Sequence, residues 1–205
     1  STGTDWFIYD FSRVHVPVDG ELTTAKWLSG LRSGRSIITN GPMLEFEVEG
    51  RDVGATLAVD EPRNVNVVCK AVGRSDFGKI EFVHNGQVIE TISSISVGGI
   101  FRAEKKLELS ITEPGWVALR VAPDKMRTNL LGQPLFGHTS PVFITFQGKT
   151  RFKRQVARNI LAEIQGGMNT IQLQGRFADD KEKEAVLSIY REGAEKLRHR
   201  LKQAP

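Results

Sequence analysis

The sequence predicts a mainly β protein: an immunoglobulin-like antiparallel β-sandwich with a short N-terminal helix and two C-terminal helices. Three observations predict it. Between Ser36 and Gln147 apolar residues recur with period two. Leu44, Phe46 and Val48, for example, alternate with Glu45, Glu47 and Glu49, the mark of a strand with one wet face. Turn formers separate these runs and no strand–helix–strand rhythm joins them, which favours antiparallel pairing. Near the N-terminus and after Gly148 the apolar period is 3.6 instead.

The elements follow in order. After an irregular entry, the alternation of Val14, Val16 and Val18 predicts one short strand. A compact helix comes next. Thr23 or Thr24 caps it, Trp27, Leu28 and Leu31 share one apolar face, and Gly34 closes it in a left-handed conformation. Further strands are expected near residues 55–59, 65–72, 79–84, 87–92, 101–111, 116–122 and 141–146. Asn85-Gly86 is the strongest hairpin signal in the chain, because both residues tolerate positive φ. Beyond Gly148, Phe152, Val156, Ile160, Leu161 and Ile164 line one helix face, and Gly166-Gly167 is expected to end that helix. Asp179 and Glu182 form a capping pair for a second helix, striped by Val186, Tyr190, Ala194, Leu197 and Leu201. The expected domains are an entry segment with the short helix at 1–41, the sandwich at 42–148 and a helical extension at 149–205.

Composition narrows the function classes. The 205 residues are 40% hydrophobic and 25% charged, which excludes a disordered chain and suffices for a full core. No apolar run reaches the roughly 18 residues of a bilayer-crossing helix, so no membrane span is expected. The lone cysteine, Cys69, has no internal partner and reads as a small core hydrophobe. Net charge is +4, with 13 Lys and Arg against 7 Asp and Glu from Lys149 onward. A nucleic-acid arm is one reading of that basic tail. Its charges alternate with a helical apolar stripe, however, so a solvated helix face is preferred and nucleic acid is not an expected partner. The chain opens on Ser1 with no basic, then apolar leader, which predicts a processed or excised piece of a longer protein. A soluble protein is expected, with a secreted or periplasmic location left open.

Chemistry-bearing motifs are sparse. None of the four histidines falls in a metal-ligand spacing, and neither a phosphate-binding glycine loop nor a Gly-x-Ser-x-Gly elbow occurs. Three polar segments supply the candidates. In Gly3–Phe7, Asp5 is either a ligand for a hard cation or the cap of a turn. In Leu31–Pro42, Arg35 and Asn40 can grip an anion, or else belong to a helix C-terminus and the turn after it. In Leu135–Pro141, His138 is a ligand or general base, or a structural residue leading into an edge strand. Arg127, Thr128 and Asn129 offer a polar groove, and Trp6-Phe7 and Trp116 are sugar platforms unless they are core.

Read together and in order, Gly3-Thr4-Asp5, the run from Trp27-Leu28 to Arg35, Thr39-Asn40-Gly41-Pro42 and Gly137-His138-Thr139-Ser140-Pro141 resemble the C-terminal part of the CehA/McbA family of metallohydrolases. The resemblance covers nearly the whole chain, and the GRS-x-x-TNGP and HTSP runs are its most specific parts. It implies an upstream barrel of the polymerase-and-histidinol-phosphatase (PHP) type, followed by the sandwich and the terminal helices. The last metal-site motif of such barrels is Asp-x-His; Asp5 matches its Asp, while Phe7 stands where the His belongs. What the resemblance implies is a non-catalytic accessory region that packs on, or shapes the active site of, the upstream barrel of the same polypeptide. No cofactor is expected for this chain, and divalent metal ions would belong to the parent hydrolase. The alternative is an independent carbohydrate- or protein-binding module.

Overall fold

The computed structural model describes residues 12–203. The chain forms two compact units, Ser1–Thr150 and Arg151–Pro205. In the first, β1 (Arg13–His15) leads to α1 (Thr24–Arg32), then β2 (Ile37–Thr39), β3 (Met43–Val48), β4 (Arg51–Asp52) and β5 (Thr56–Val59). Next come β6 (Arg63–Gly73), β7 (Lys79–His84), β8 (Gln87–Ser93), β9 (Ile95–Val97) and β10 (Ile100–Ile111). The long β11 (Gly115–Thr128), β12 (Pro134–Thr139) and β13 (Val142–Phe146) complete the unit. The second unit is α2 (Arg154–Gln174) and α3 (Asp180–Gln203).

The strands make two sheets. One has five strands in the order β4-β3-β6-β10-β9, all antiparallel. The other has eight, with the path β1-β2-β12-β11-β13-β5, while β7 and then β8 extend from the opposite flank of β11. β11 organises this sheet by its length. Its first residues, Gly115–Val117, pair with β13, and Arg120 onward pairs with β12 on the same flank, while Val117–Arg120 pair with β7 on the other. Ser140-Pro141 separates β12 from β13, as expected where a residue without an N–H interrupts a ladder. The antiparallel expectation holds for every strand pair but one: β13 and β5 run parallel.

The core lies between the sheets. β3 buries Leu44, Phe46 and Val48 and exposes the glutamates between them, as its period requires. Val65, Val67, Cys69 and Ala71 of β6 face Ile80, Phe82, Val117, Leu119, Val142 and Ile144 of the other sheet in one cluster. Phe46 and Phe82 join the two layers with ring centroids 5.9 Å apart. The Asn85-Gly86 turn has φ of 54° and 90°, the primed hairpin geometry its sequence demands.

The structure departs from the sequence reading at several elements. The sheet reaches back to β1 and β2, within the segment read as entry and linker. The short strand covers only Arg13–His15, not the whole Val14–Val18 alternation. α1 is capped by Thr23, whose side chain accepts from Lys26 N–H at 3.3 Å. Its expected apolar face is only partly covered: Trp27 is half-buried, while Leu28 and Leu31 stay 36% and 38% exposed. The buried residue is Gly30, where a Cβ would come within 2.4 Å of Val16 Cγ1, so a bare backbone surface makes the close contact.

Gly166-Gly167 does not end α2, which runs on to Gln174. A glycine weakens a helix but keeps the N–H its ladder needs, and packing decides the rest. A Cβ at Gly167 would lie 3.2 Å from Tyr190 Cε1, so this glycine lets α3 approach closely. The inward stripe of α2 is Ala157, Leu161, Ile164, Met168 and Ile171, while Val156 and Ile160 are 48% and 43% exposed. In α3 the capping pair forms as read: Asp179 Oδ1 accepts Glu182 N–H at 2.7 Å, and Glu182 reaches back to Ala178 N–H at 2.8 Å. Leu187 and Ala194 are its buried residues.

Candidate functional site

The polar runs at 36–42 and 135–140 meet, because β2 pairs with β12 and sets Thr39 opposite Gly137 and Ile37 opposite Thr139. Asn40 turns inward at the end of β2. Its Nδ2 donates to Pro134 O at 2.8 Å and its Oδ1 accepts Phe136 N–H at 2.7 Å, so both ends of the amide are engaged by β12. Thr39 Oγ1 lies 2.7 Å from Pro42 O and 2.9 Å from Phe136 O, and accepts Gly41 N–H at 3.0 Å. Ser36 and Ser140 hydroxyls are 3.0 Å apart, and Ser140 N–H donates to Ser36 O. Thr139 serves the gap between β12 and β13, where its Oγ1 accepts Leu119 N–H at 3.0 Å. Both glycines are close-approach positions: a Cβ at Gly41 would strike Leu135 Cδ2 at 2.4 Å, and one at Gly137 would press on Leu44 of the other sheet.

The three candidates Arg35, Asn40 and His138 therefore do not form one polar site. Asn40 is 6% exposed and fully engaged in the clamp. Arg35 bridges Asp52 at 3.3 Å and Asp19 at 3.4 Å, and the Asp52 hydrogen bond above all raises its pKa further. That pairing holds the segment after α1 against the β4–β5 turn. There Gly54, at φ 80°, sits so tightly that a Cβ would meet Gly34 O at 2.5 Å. His138 is exposed on the outward face of β12, beside Ile38 and opposite Arg120 in register. It lies on a strand inside the sheet, between β2 and β11, rather than before an edge strand. Asp5, Trp6 and Phe7 lie outside the described residues.

The sequence reading missed two charged groups. Glu81, 7% exposed on the outward side of β7, takes Arg120 Nε at 2.8 Å and Lys79 Nζ at 3.1 Å. Burial alone would raise its pKa, but these two cations outweigh it and the carboxyl titrates below its ordinary range. Register makes His138, Arg120 and Glu81 one cross-strand row. With its carboxylate neutralised by two cations, the row can pair an anion but presents no nucleophile with a base. The second group is Asp76, which accepts from Ser94 Oγ (2.7 Å), Gly78 N–H (2.8 Å) and Arg127 Nε (3.2 Å), and is lowered in pKa by those bonds, Ser94 first. Arg127 also binds Asp124 at 2.6 Å and lies against Gly78, where a Cβ would sit 2.6 Å from Nε. So Arg127 latches the end of β11 to the start of β7 and does not line an open groove. The signals were legible: Lys-Ile-Glu at strand spacing before an Arg-bearing strand, and Asp-x-Gly at a turn.

Among the described residues no group of three His, Cys, Asp or Glu side chains is placed to hold a metal ion. Cys69 is buried and its thiol is pushed up to about 12, chiefly by loss of solvent, so it is an inert core group. Shallow open depressions cross β6 and β10 at Asn66, Val68, Lys106 and Glu108, and border Leu22, Thr24 and Trp27. Among the described residues no helix is long and apolar enough to cross a membrane. Neither models of known protein families nor the curated proteins compared with the chain give a match.

Proposed function

We propose that this chain is a non-catalytic accessory β-sandwich region of a PHP-type metal-dependent hydrolase, acting by packing on or shaping the active site of an upstream barrel of the same polypeptide. The observation that supports this reading is the β2–β12 clamp. Of the residues that carry the resemblance, Thr39, Asn40, Gly41, Gly137, Thr139 and Ser140 are engaged within the sheet by partners on β2, β11 and β12, while Arg35 and His138 lie outside this clamp. Residues used this way maintain a shape. Divalent metal ions belong, on this proposal, to the parent hydrolase, and Asp5 is the residue of this chain that would approach them. The test is an activity assay of this chain alone, with added divalent metal and a phosphoester or amide substrate. No turnover is expected, and turnover by the purified chain would overturn the reading. The intact mass of the protein from its own source gives the second test: a mass far above 22.8 kDa is expected.

A binding module for carbohydrate is the second reading, favoured by one observation: Trp116 and Phe143 face each other in register across β11 and β13, with Phe143 48% exposed. An aromatic pair on a sheet face suits the apolar face of a sugar ring. Titrating tryptophan fluorescence with oligosaccharides tests it, and a spectrum unchanged across many glycans would remove it.

A further inference from the structure

One end of the sandwich concentrates exposed apolar side chains and unpaired cations. The β11–β12 hairpin places Leu130 at its tip, 103% exposed, with Leu131 at 51% and Met126 at 85%. The loop is not slack. Asn129 Oδ1 accepts the N–H groups of Leu131 and Gln133 at 3.0 and 3.1 Å, Asn129 N–H donates to Gln133 O, and Gly132 takes φ 74°. At the base, Arg127 holds Asp76, which also holds Ser94, and Ser94 directly precedes Ile95 of β9. There the five-stranded sheet continues the surface outward: Ile95, Arg102, Val72 and Met43 form one cross-strand row, with Ile95 64% and Met43 41% exposed. Exposed Arg74, Arg102 and Lys125 lie at this end and have no ion-pair partner within 4 Å among the described residues. Of the acidic side chains here, Asp76 and Asp124 are both engaged by Arg127, and Glu45 and Glu104, two residues along β3 and β10 on the same face, share Lys70.

We propose that this hairpin end is a docking surface for an anionic lipid bilayer, with Leu130, Leu131 and Met126 entering the headgroup–acyl boundary and Arg74, Arg102 and Lys125 meeting lipid charge. Charge and shape select the lipid. Leu130 and Leu131 project from one hairpin tip and Met126 from the strand that leads into it, with exposed cations at the same end. A fluid bilayer can close around such a tip, whereas a protein would need a matching acid-rimmed socket. The proposal is independent of the accessory-region reading and concerns a surface that reading does not use.

The test is flotation of the full chain with vesicles of phosphatidylcholine alone and with about one third phosphatidylserine, at low and physiological salt. Binding is expected only to the anionic vesicles and is expected to fall with salt, each cation contributing about fivefold in affinity. The paired variant Leu130→Ser with Leu131→Ser is expected to lose at least about tenfold, and Arg74→Glu with Lys125→Glu to lose most binding. These exposed sites leave folding unchanged, as circular dichroism would verify. Because α2 and α3 carry basic charge of their own, persistence of binding in the double serine variant would overturn the proposal. So would absence of binding to anionic vesicles, or reversible self-association of the chain that the same serines abolish.

Discussion

Replacing Asn40 with alanine separates a clamp residue from a binding residue. Asn40→Ala removes a donor to Pro134 O and an acceptor for Phe136 N–H in a site where Asn40 is 6% exposed. Stranding a buried backbone group costs about 1–3 kcal/mol. Pro134 and Phe136 are half-buried, so water can recover part of that for each. The two together give about 2–4 kcal/mol, a large share of the 5–15 kcal/mol typical of a domain. With a urea slope of about 2 kcal/mol/M, the midpoint should fall by roughly 1–2 M. Tryptophan fluorescence is the right probe, because Trp27 and Trp116 lie in the first unit and the helical unit has no tryptophan. His138→Ala, an exposed change on the strand that Asn40 clamps, should stay within about 0.5 kcal/mol of wild type. An Asn40→Ala midpoint equally close to wild type would refute the clamp and return Asn40 to the list of ligand-binding candidates.

Other outcomes follow from the same geometry. Gly54→Ala should destabilise the sandwich by about 2–3 kcal/mol in the same urea assay, because a Cβ there meets Gly34 and Ser33 backbone oxygens at 2.5 and 2.8 Å at a φ of 80°. Glu81 titrates lower folded than unfolded, so the unfolded chain takes up protons first. The stability it contributes is therefore complete above about pH 5 and lost as pH falls through about 4.3 and below. Melting temperature against pH should show that loss, and Glu81→Gln should be less stable at pH 7 with a shallower acid limb; Asp76 leaves a residual slope. In α2, Gly166→Ala meets open space and should raise helical stability by about 0.5–1 kcal/mol, whereas Gly167→Ala presses on Tyr190 and should gain less or lose. Thermal melts followed at 222 nm compare the two, and an equal gain at both sites would remove the close-approach role of Gly167.

Much of this fold is legible in the sequence alone. β3, β6, β7, β8 and β10, the Asn85-Gly86 hairpin and the Asp179–Glu182 cap all depend on residues near one another in sequence. Pleat alternation, positive φ and capping are local physics, and a local pattern reports them. β12 was hidden for the opposite reason. Its inward positions are Leu135, Gly137 and Thr139, and two of those are not apolar. Gly137 is small because Leu44 of the other sheet fills the space, and Thr139 is polar because the gap beside Pro141 leaves Leu119 N–H to be satisfied. The same reasoning covers Gly30, which no local pattern singles out, and Gly167, which read as part of a helix stop; they mark where Val16 and Tyr190 come close. Likewise Arg35, Asn40 and His138 shared a polar, turn-rich context, and only the pairing of β2 with β12 sent them in different directions. What the sequence determined by itself was the period of each element and the kind of turn between them. The tertiary structure alone decided which polar and small residues are paired inside the sheet, because their partners lie about a hundred residues away along the chain.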